Sequence, residues 1–277
     1  MKRIFTMRMF RYITYFAVST SAFHIPTFTR RVKVNPLQMV RTRGLERRID
    51  GATPKEGGFL LYVKAAEDGV SVGDCPFAHG VRMVLNEKGL DYDLLPSVQE
   101  TKPNWLIEHY EGKLPALRHR KECYVESDVI MQYLDYFFAE PEMTASKALK
   151  EKTNEIVDGF FPAVAQYLKH TPDGDDDDIE LKGNLEAALE RLEDHLSSVE
   201  SGDFLCGDQF TLQDCALAPK LYHMQTGINA FKNGAIDIKA NFPNVNRYMD
   251  KVFGRSSFID ALYPEEVIVW GWGNARK

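Results

Sequence analysis

The sequence predicts an α+β domain of order βαβαββα followed by an all-helical domain. Short apolar strand patterns alternate with helical periods between residues 57 and 140, strand signals vanish beyond Pro141, and helical periodicity dominates from there. The length of 277 residues agrees, since it suits two compact units better than one.

Each element follows from local chemistry. Phe59-Leu60-Leu61-Tyr62-Val63 suits a buried strand. A Gly/Asp-rich loop through Gly69 and Gly73-Asp74 leads to Cys75-Pro76-Phe77, where Pro76 fits the first helical position because no intrahelical partner awaits its missing N–H. Phe77, Val81, Val84 and Leu85 then recur at helical spacing until Lys88-Gly89 supplies a stop. A strand over 92–95, a helix opened by Pro103, strands over 116–119 and 123–125, and a helix from Ser127 to about Phe138 complete a thioredoxin-like order. That domain is expected over 57–140. In the helical domain, 145–277, helices are expected over 147–169, 179–199, 212–231 and 242–262. Thr211-Leu212-Gln213-Asp214 is a capping box in which Asp replaces the usual Glu. The acidic run 171–178 lacks the spaced ligands of a calcium loop and reads as a solvated connection.

Residues 1–49 read as an address. They hold 11 of the 34 Lys+Arg but one acid, Glu46, and are rich in Ser and Thr. That composition suits a cleaved organelle transit peptide. Ser19-Thr20-Ser21-Ala22-Phe23 with the basic, hydroxyl-rich stretch after it resembles the two-part leaders of plastids inside extra membranes, so a plastid is expected, with mitochondrion or cytosol as alternatives. The apolar stretch 12–22 after a basic start also fits an export signal. The remaining chain carries a net charge of −16, which repels phosphate and argues against nucleic-acid binding. No apolar run approaches the ~18 residues of a membrane helix. The four cysteines lie far apart without a C-x-x-C pair, so neither a disulfide framework nor a zinc site is expected.

The chemistry is expected at Cys75. A thiol at a strand-to-helix junction meets free backbone N–H groups and the positive end of the helix dipole, both of which favour a thiolate, while Asp74 opposes them. Ala78 occupies the place of a local resolving thiol, so a disulfide at Cys75 must be opened by an external thiol. Cys123, Cys206 and Cys215 lie in apolar contexts and read as packing residues. Lys113-Leu114-Pro115 before a strand is a candidate cis turn that would present the Leu114 backbone to an extended ligand. Glu126-Ser127-Asp128 opens a helix whose N–H groups and Ser127 hydroxyl suit a carboxylate. Together with Cys75 these describe a glutathione pocket.

The motifs Val63-Lys64-Ala65-Ala66, Gly73-Asp74-Cys75-Pro76-Phe77, Lys102-Pro103-Asn104-Trp105, Glu111-Gly112-Lys113-Leu114-Pro115, Ser127-Asp128-Val129-Ile130, Ala218-Pro219-Lys220-Leu221-Tyr222-His223 and Gly271-Trp272 carry a resemblance. Over about residues 59–277 the chain resembles plant-type dehydroascorbate reductases, enzymes of the glutathione transferase fold. The resemblance implies a monomer that uses glutathione as co-substrate, with no tightly bound cofactor and no metal. It implies Cys75 as nucleophile and Lys64 and Asp74 beside it for dehydroascorbate and glutathione. Lys102, Leu114, Pro115, Glu126 and Ser127 would hold glutathione, with Phe77, His223 and Trp272 closing the pocket. Two rivals share Cys-Pro-Phe: omega-like thioltransferases and chloride intracellular channel-like proteins. The chain departs from the family at Ala78-His79-Gly80, where Ser-Gln-Arg is usual. It departs again at Tyr62, in place of a frequent cysteine, and at the tail, where Arg276 or Lys277 stands in for a displaced lysine.

Overall fold

The computed structural model of the chain describes residues 58–173, 178–198 and 202–276, all within one compact unit. The leader expected over 1–49 and residues 174–177 of the acidic run lie outside them. Four strands form one sheet in the order β2-β1-β3-β4: β1 Phe59–Lys64, β2 Tyr92–Ser97, β3 Ala116–His119 and β4 Glu122–Val125. β1 and β2 run parallel, with Leu61 opposite Leu94, whereas β3 is antiparallel to both β1 and β4. Connecting the parallel pair needs a crossover, and α1 Pro76–Glu87 supplies it. Side chains alternate along β1. Leu60 and Tyr62 face Trp105, Leu106 and Tyr110 of α2 Asn104–Tyr110. On the other face Phe59 stacks on His119 and meets Phe138, just past α3 Ser127–Phe137.

Beyond residue 140 the described elements are helices. They are α4 Lys147–Val157, α5 Phe160–Lys169, α6 Ile179–Ser198, α7 Leu212–Phe231, α8 Ile238–Asn241, α9 Pro243–Phe253, α10 Ser256–Ile259 and α11 Glu265–Ala275. α7 is the central one, packed against α1, α4, α5, α9 and α11. Its capping box forms as expected: Thr211 N–H donates to Asp214 Oδ2 at 2.7 Å, and Asp214 also accepts from Leu205 N–H and the Tyr248 hydroxyl. Gly80 lets α1 approach α7 closely, because a Cβ there would stand 2.6 Å from the Cys215 carbonyl oxygen. The departure at Ala78-His79-Gly80 thus has a packing consequence.

Three expectations need correction. The single helix over 147–169 is two, broken at Asp158-Gly159, where Gly159 takes φ +74. The run 242–262 divides into α9 and α10 around Gly254-Arg255, with α8 just before it. The tail, which carried no helix in the sequence reading, forms α11.

α1 is tied to the later helices by polar contacts. Lys88 Nζ, fully buried, bonds Asp135 Oδ1 at 2.8 Å and the Phe138 and Pro141 carbonyls. Glu87 takes two bonds from Arg255, and Arg82 donates to the Ala261 carbonyl. None of the described helices is long and apolar enough to cross a membrane, and the described residues contain no cluster suited to a metal ion.

Candidate active site

The loop after β1 doubles back on the strand it leaves. Gly73 N–H donates to the Lys64 carbonyl at 2.7 Å, and a Cβ on Gly73 would stand 2.5 Å from the Ala65 carbonyl oxygen. Only glycine permits that approach. It brings residues ten apart together, so that Lys64 Nζ meets Asp74 Oδ1 at 2.6 Å. Cys75 follows as the extended residue that caps α1, with Pro76 at the first helical position.

Cys75 is a free, half-buried thiol at the helix start. Backbone N–H groups of Ala78 and Phe77 and the Lys64 charge pull its pKa down, as the junction implies. Burial pushes it up more strongly, Asp74 adds to the rise, and the net shift is upward from the ordinary thiol value. The helix-start chemistry is present but outweighed by desolvation.

A cavity of about 520 Å³ opens beside Cys75, with Lys64, Ser97, Lys102, Leu114 and Trp270 in its wall. The structure therefore gathers Cys75, Lys64, Lys102 and Leu114 of the expected residues, with Asp74 held against Lys64. The Leu114–Pro115 peptide is cis, as expected. Glu126 and Ser127 mark the start of α3 but do not border this cavity; Glu126 pairs with Lys113 at 3.0 Å. Phe77, 41% exposed, meets the ring of Phe161 from α5.

The helical side departs from expectation. The indole over the cavity is Trp270, with Lys64 Nζ 5.8 Å from its ring centroid. Trp272 is buried instead against Phe161 and His223. The reason is the period of α11, which turns residues two apart to different faces. Between them, Gly271 leaves room for the Asp74 carboxylate, which a Cβ would overlap. His223 is 1% exposed and does not reach the cavity; its Nε2 lies 2.8 Å from the Tyr263 hydroxyl. Burial first, and the Lys64 charge second, lower its pKa to about 3, so the ring is neutral.

Two residues escaped the sequence reading. Trp270 was overlooked in favour of the motif tryptophan. Tyr263 joins His223 to the centre: Cys75 and Asp74 are near enough for their charge to add to the effect of burial in raising its phenol. Pro264 followed by Glu265-Glu266 was the available signal, a helix start with acids in its first turn. The remaining thiols are buried packing residues. Desolvation pushes Cys123 up to about 12 and raises Cys206 and Cys215 as well.

Residues 74–136 match the family model of the glutathione S-transferase N-terminal domain, and residues 154–251 that of the C-terminal domain. The chain is 32% identical over 214 residues to Glutathione S-transferase DHAR2 of Arabidopsis thaliana, covering 76% of this chain and 95% of that one. It is 30% identical to Glutathione S-transferase DHAR3, chloroplastic, of the same plant, over 73% of this chain and 74% of the relative. A rice relative (Oryza sativa subsp. japonica), Probable glutathione S-transferase DHAR1, cytosolic, is also 30% identical, over 78% and 97% of the two chains. Among solved structures, Chlamydomonas reinhardtii dehydroascorbate reductase superposes with a TM-score of 0.67 at 27% identity, covering 78% of this chain and 98% of that one. With both family models in chain order and a relative 32% identical over 95% of its length, the chain belongs to the glutathione S-transferases, among the plant-type dehydroascorbate reductases.

Proposed function

We propose that the protein reduces dehydroascorbate to ascorbate at the expense of two glutathiones, through Cys75 alone. The observation that carries this reading is a thiol at a helix start, in a cavity with Lys64 and Lys102, with Ala78 where a resolving thiol would stand. Cys75 and one glutathione thiol together give two electrons to dehydroascorbate and are left joined as a mixed disulfide. The electrons and the two thiol protons leave with ascorbate. A second glutathione then attacks the glutathione sulfur, and Cys75 departs as a thiolate with the electron pair of the broken S–S bond. The Cys75 pKa, raised by burial, makes each positive charge near the sulfur count, and Lys64 supplies one.

In this reading Lys102, Leu114, Pro115, Glu126 and Ser127 hold glutathione, and Lys64 with Asp74 meets the oxygens of dehydroascorbate. Phe77 on α1 and, from the helical side, His223 and Trp272 back the pocket, with Trp270 as its cover. The enzyme works as a monomer without a bound cofactor, and its basic leader directs it to a plastid. Cys75→Ser tests the chemistry, since a hydroxyl without a base is too weak a nucleophile. The variant should lose nearly all turnover and the glutathione adduct. A near-wild-type rate would overturn the reading. An omega-like thioltransferase would instead turn over protein mixed disulfides faster than dehydroascorbate.

A further inference from the structure

Beyond the Phe77 and Phe161 rings lies a second cavity, of about 350 Å³, between α3, α4, α5 and α7. Asp128, Lys150, Asp158, Phe161, Gln213 and Lys220 are in its wall. Two of its polar groups stand unsatisfied. Lys220 makes no hydrogen bond or ion pair among the described residues, and its ammonium lies 5.6 Å from the centroid of the Phe77 ring. Gln213 Oε1 is buried with no hydrogen-bond partner. Burial lowers the Lys220 pKa and only Asp128 opposes the shift, so an anion brought against this ammonium would stabilise it.

The wall carries both signs of charge. A simple anion would meet Asp128 and Asp158, and a simple cation would meet Lys150 and Lys220. An α-amino-acid head satisfies both, its carboxylate on the lysines and its ammonium on Asp128 and Gln213 Oε1. We infer that this cavity docks the γ-glutamyl head of the second glutathione, the one that discharges the mixed disulfide at Cys75. The inference rests on the single-cysteine chemistry proposed above. The thiol of glutathione is on its middle residue, about two extended residues or ~7 Å from the γ-glutamyl head, and Phe77 lies two residues beyond Cys75 on α1. A glutathione anchored at Lys220 can therefore extend its thiol past the Phe77 ring towards Cys75. Its thiolate attacks the sulfur of the bound glutathione, the Cys75 S–S bond breaks, and oxidised glutathione leaves with the protein thiolate restored.

The test separates discharge from loading. The full-length protein is loaded to completion with oxidised glutathione, the Cys75 adduct is confirmed by peptide mass, and discharge is timed with reduced glutathione or with 2-mercaptoethanol, which lacks the amino-acid head. Lys220→Met should slow discharge by sub-saturating glutathione about tenfold, the loss of one charge-assisted contact, and leave discharge by 2-mercaptoethanol unchanged. Gln213→Leu should show the same pattern more weakly, and Lys220→Arg should keep most of the rate. Equal glutathione rates in Lys220→Met and wild type would overturn the docking site, as would an equal loss with both thiols, which marks a packing role. Absence of any Cys75 adduct on the wild-type protein would overturn this site together with the chemistry on which it rests.

Discussion

Two buried imidazoles should make the fold acid-sensitive. His79 and His223 are 0% and 1% exposed, each has one ring nitrogen without a partner, and burial lowers the pKa of each to about 3. Arg82 lies by the first ring and Lys64 by the second, and both charges act in the same direction as burial. In the unfolded chain both rings titrate at the ordinary value near 6.5. The folded state therefore favours the neutral rings, and their stabilisation is present above pH 6.5 and lost as the pH falls towards 3. From pH 7 to 4.5 each ring costs nearly two pH units of linkage, about 2.5 kcal/mol at 1.36 kcal/mol per unit, so about 5 kcal/mol for the pair. That is a large share of the ~5–15 kcal/mol by which domains are stable. Urea unfolding of the full-length chain between pH 7 and 4.5 measures it. His223→Phe carries no titrating ring, so its stability should fall less steeply with acid, by about one proton. The same slope in variant and wild type would refute the assignment of a neutral buried His223.

Three further outcomes follow from the site. Because burial holds the Cys75 thiol up, its alkylation by iodoacetamide should keep accelerating beyond pH 9; a plateau below pH 8 would show a thiolate already formed. Gly271→Ala places a Cβ on the Asp74 carboxylate. Overpacking of this kind costs ~1–3 kcal/mol of stability, which urea unfolding should show, and the displaced Asp74 carboxylate should lower kcat/KM for dehydroascorbate in steady-state kinetics. Ser127→Ala should raise the KM for glutathione more than that for dehydroascorbate, and equal effects would count against Ser127 as a glutathione contact.

The strands and the first three helices were legible because their signals are local. β1 is a run of apolar residues, Pro76 and Pro103 mark helix entries, and a cis bond at Leu114–Pro115 follows from a proline turn before a strand. The helical domain was harder to divide. Apolar spacing runs through Asp158-Gly159, and the break shows only in the backbone, where Asp158 is extended and Gly159 takes a positive φ. α11 was missed because Trp270-Gly271-Trp272-Gly273 has poor helix propensity, which packing against α7 and α5 overrides. At the site, Cys75 was readable from its junction. The Lys64–Asp74 bond rests on a loop that folds back through Gly73, and the place of Trp270 rests on a helix that the sequence hid. The direction of the Cys75 shift was out of reach too, because it depends on how much protein covers the sulfur.

The most direct test is the glutathione-dependent formation of ascorbate from dehydroascorbate by the full-length protein, run beside Cys75→Ser and the three other single cysteine-to-serine variants. Ascorbate should form at the expense of two glutathiones each with the wild type and with Cys123→Ser, Cys206→Ser and Cys215→Ser, and essentially not at all with Cys75→Ser. No ascorbate from the wild type, or undiminished formation by Cys75→Ser, would contradict the account.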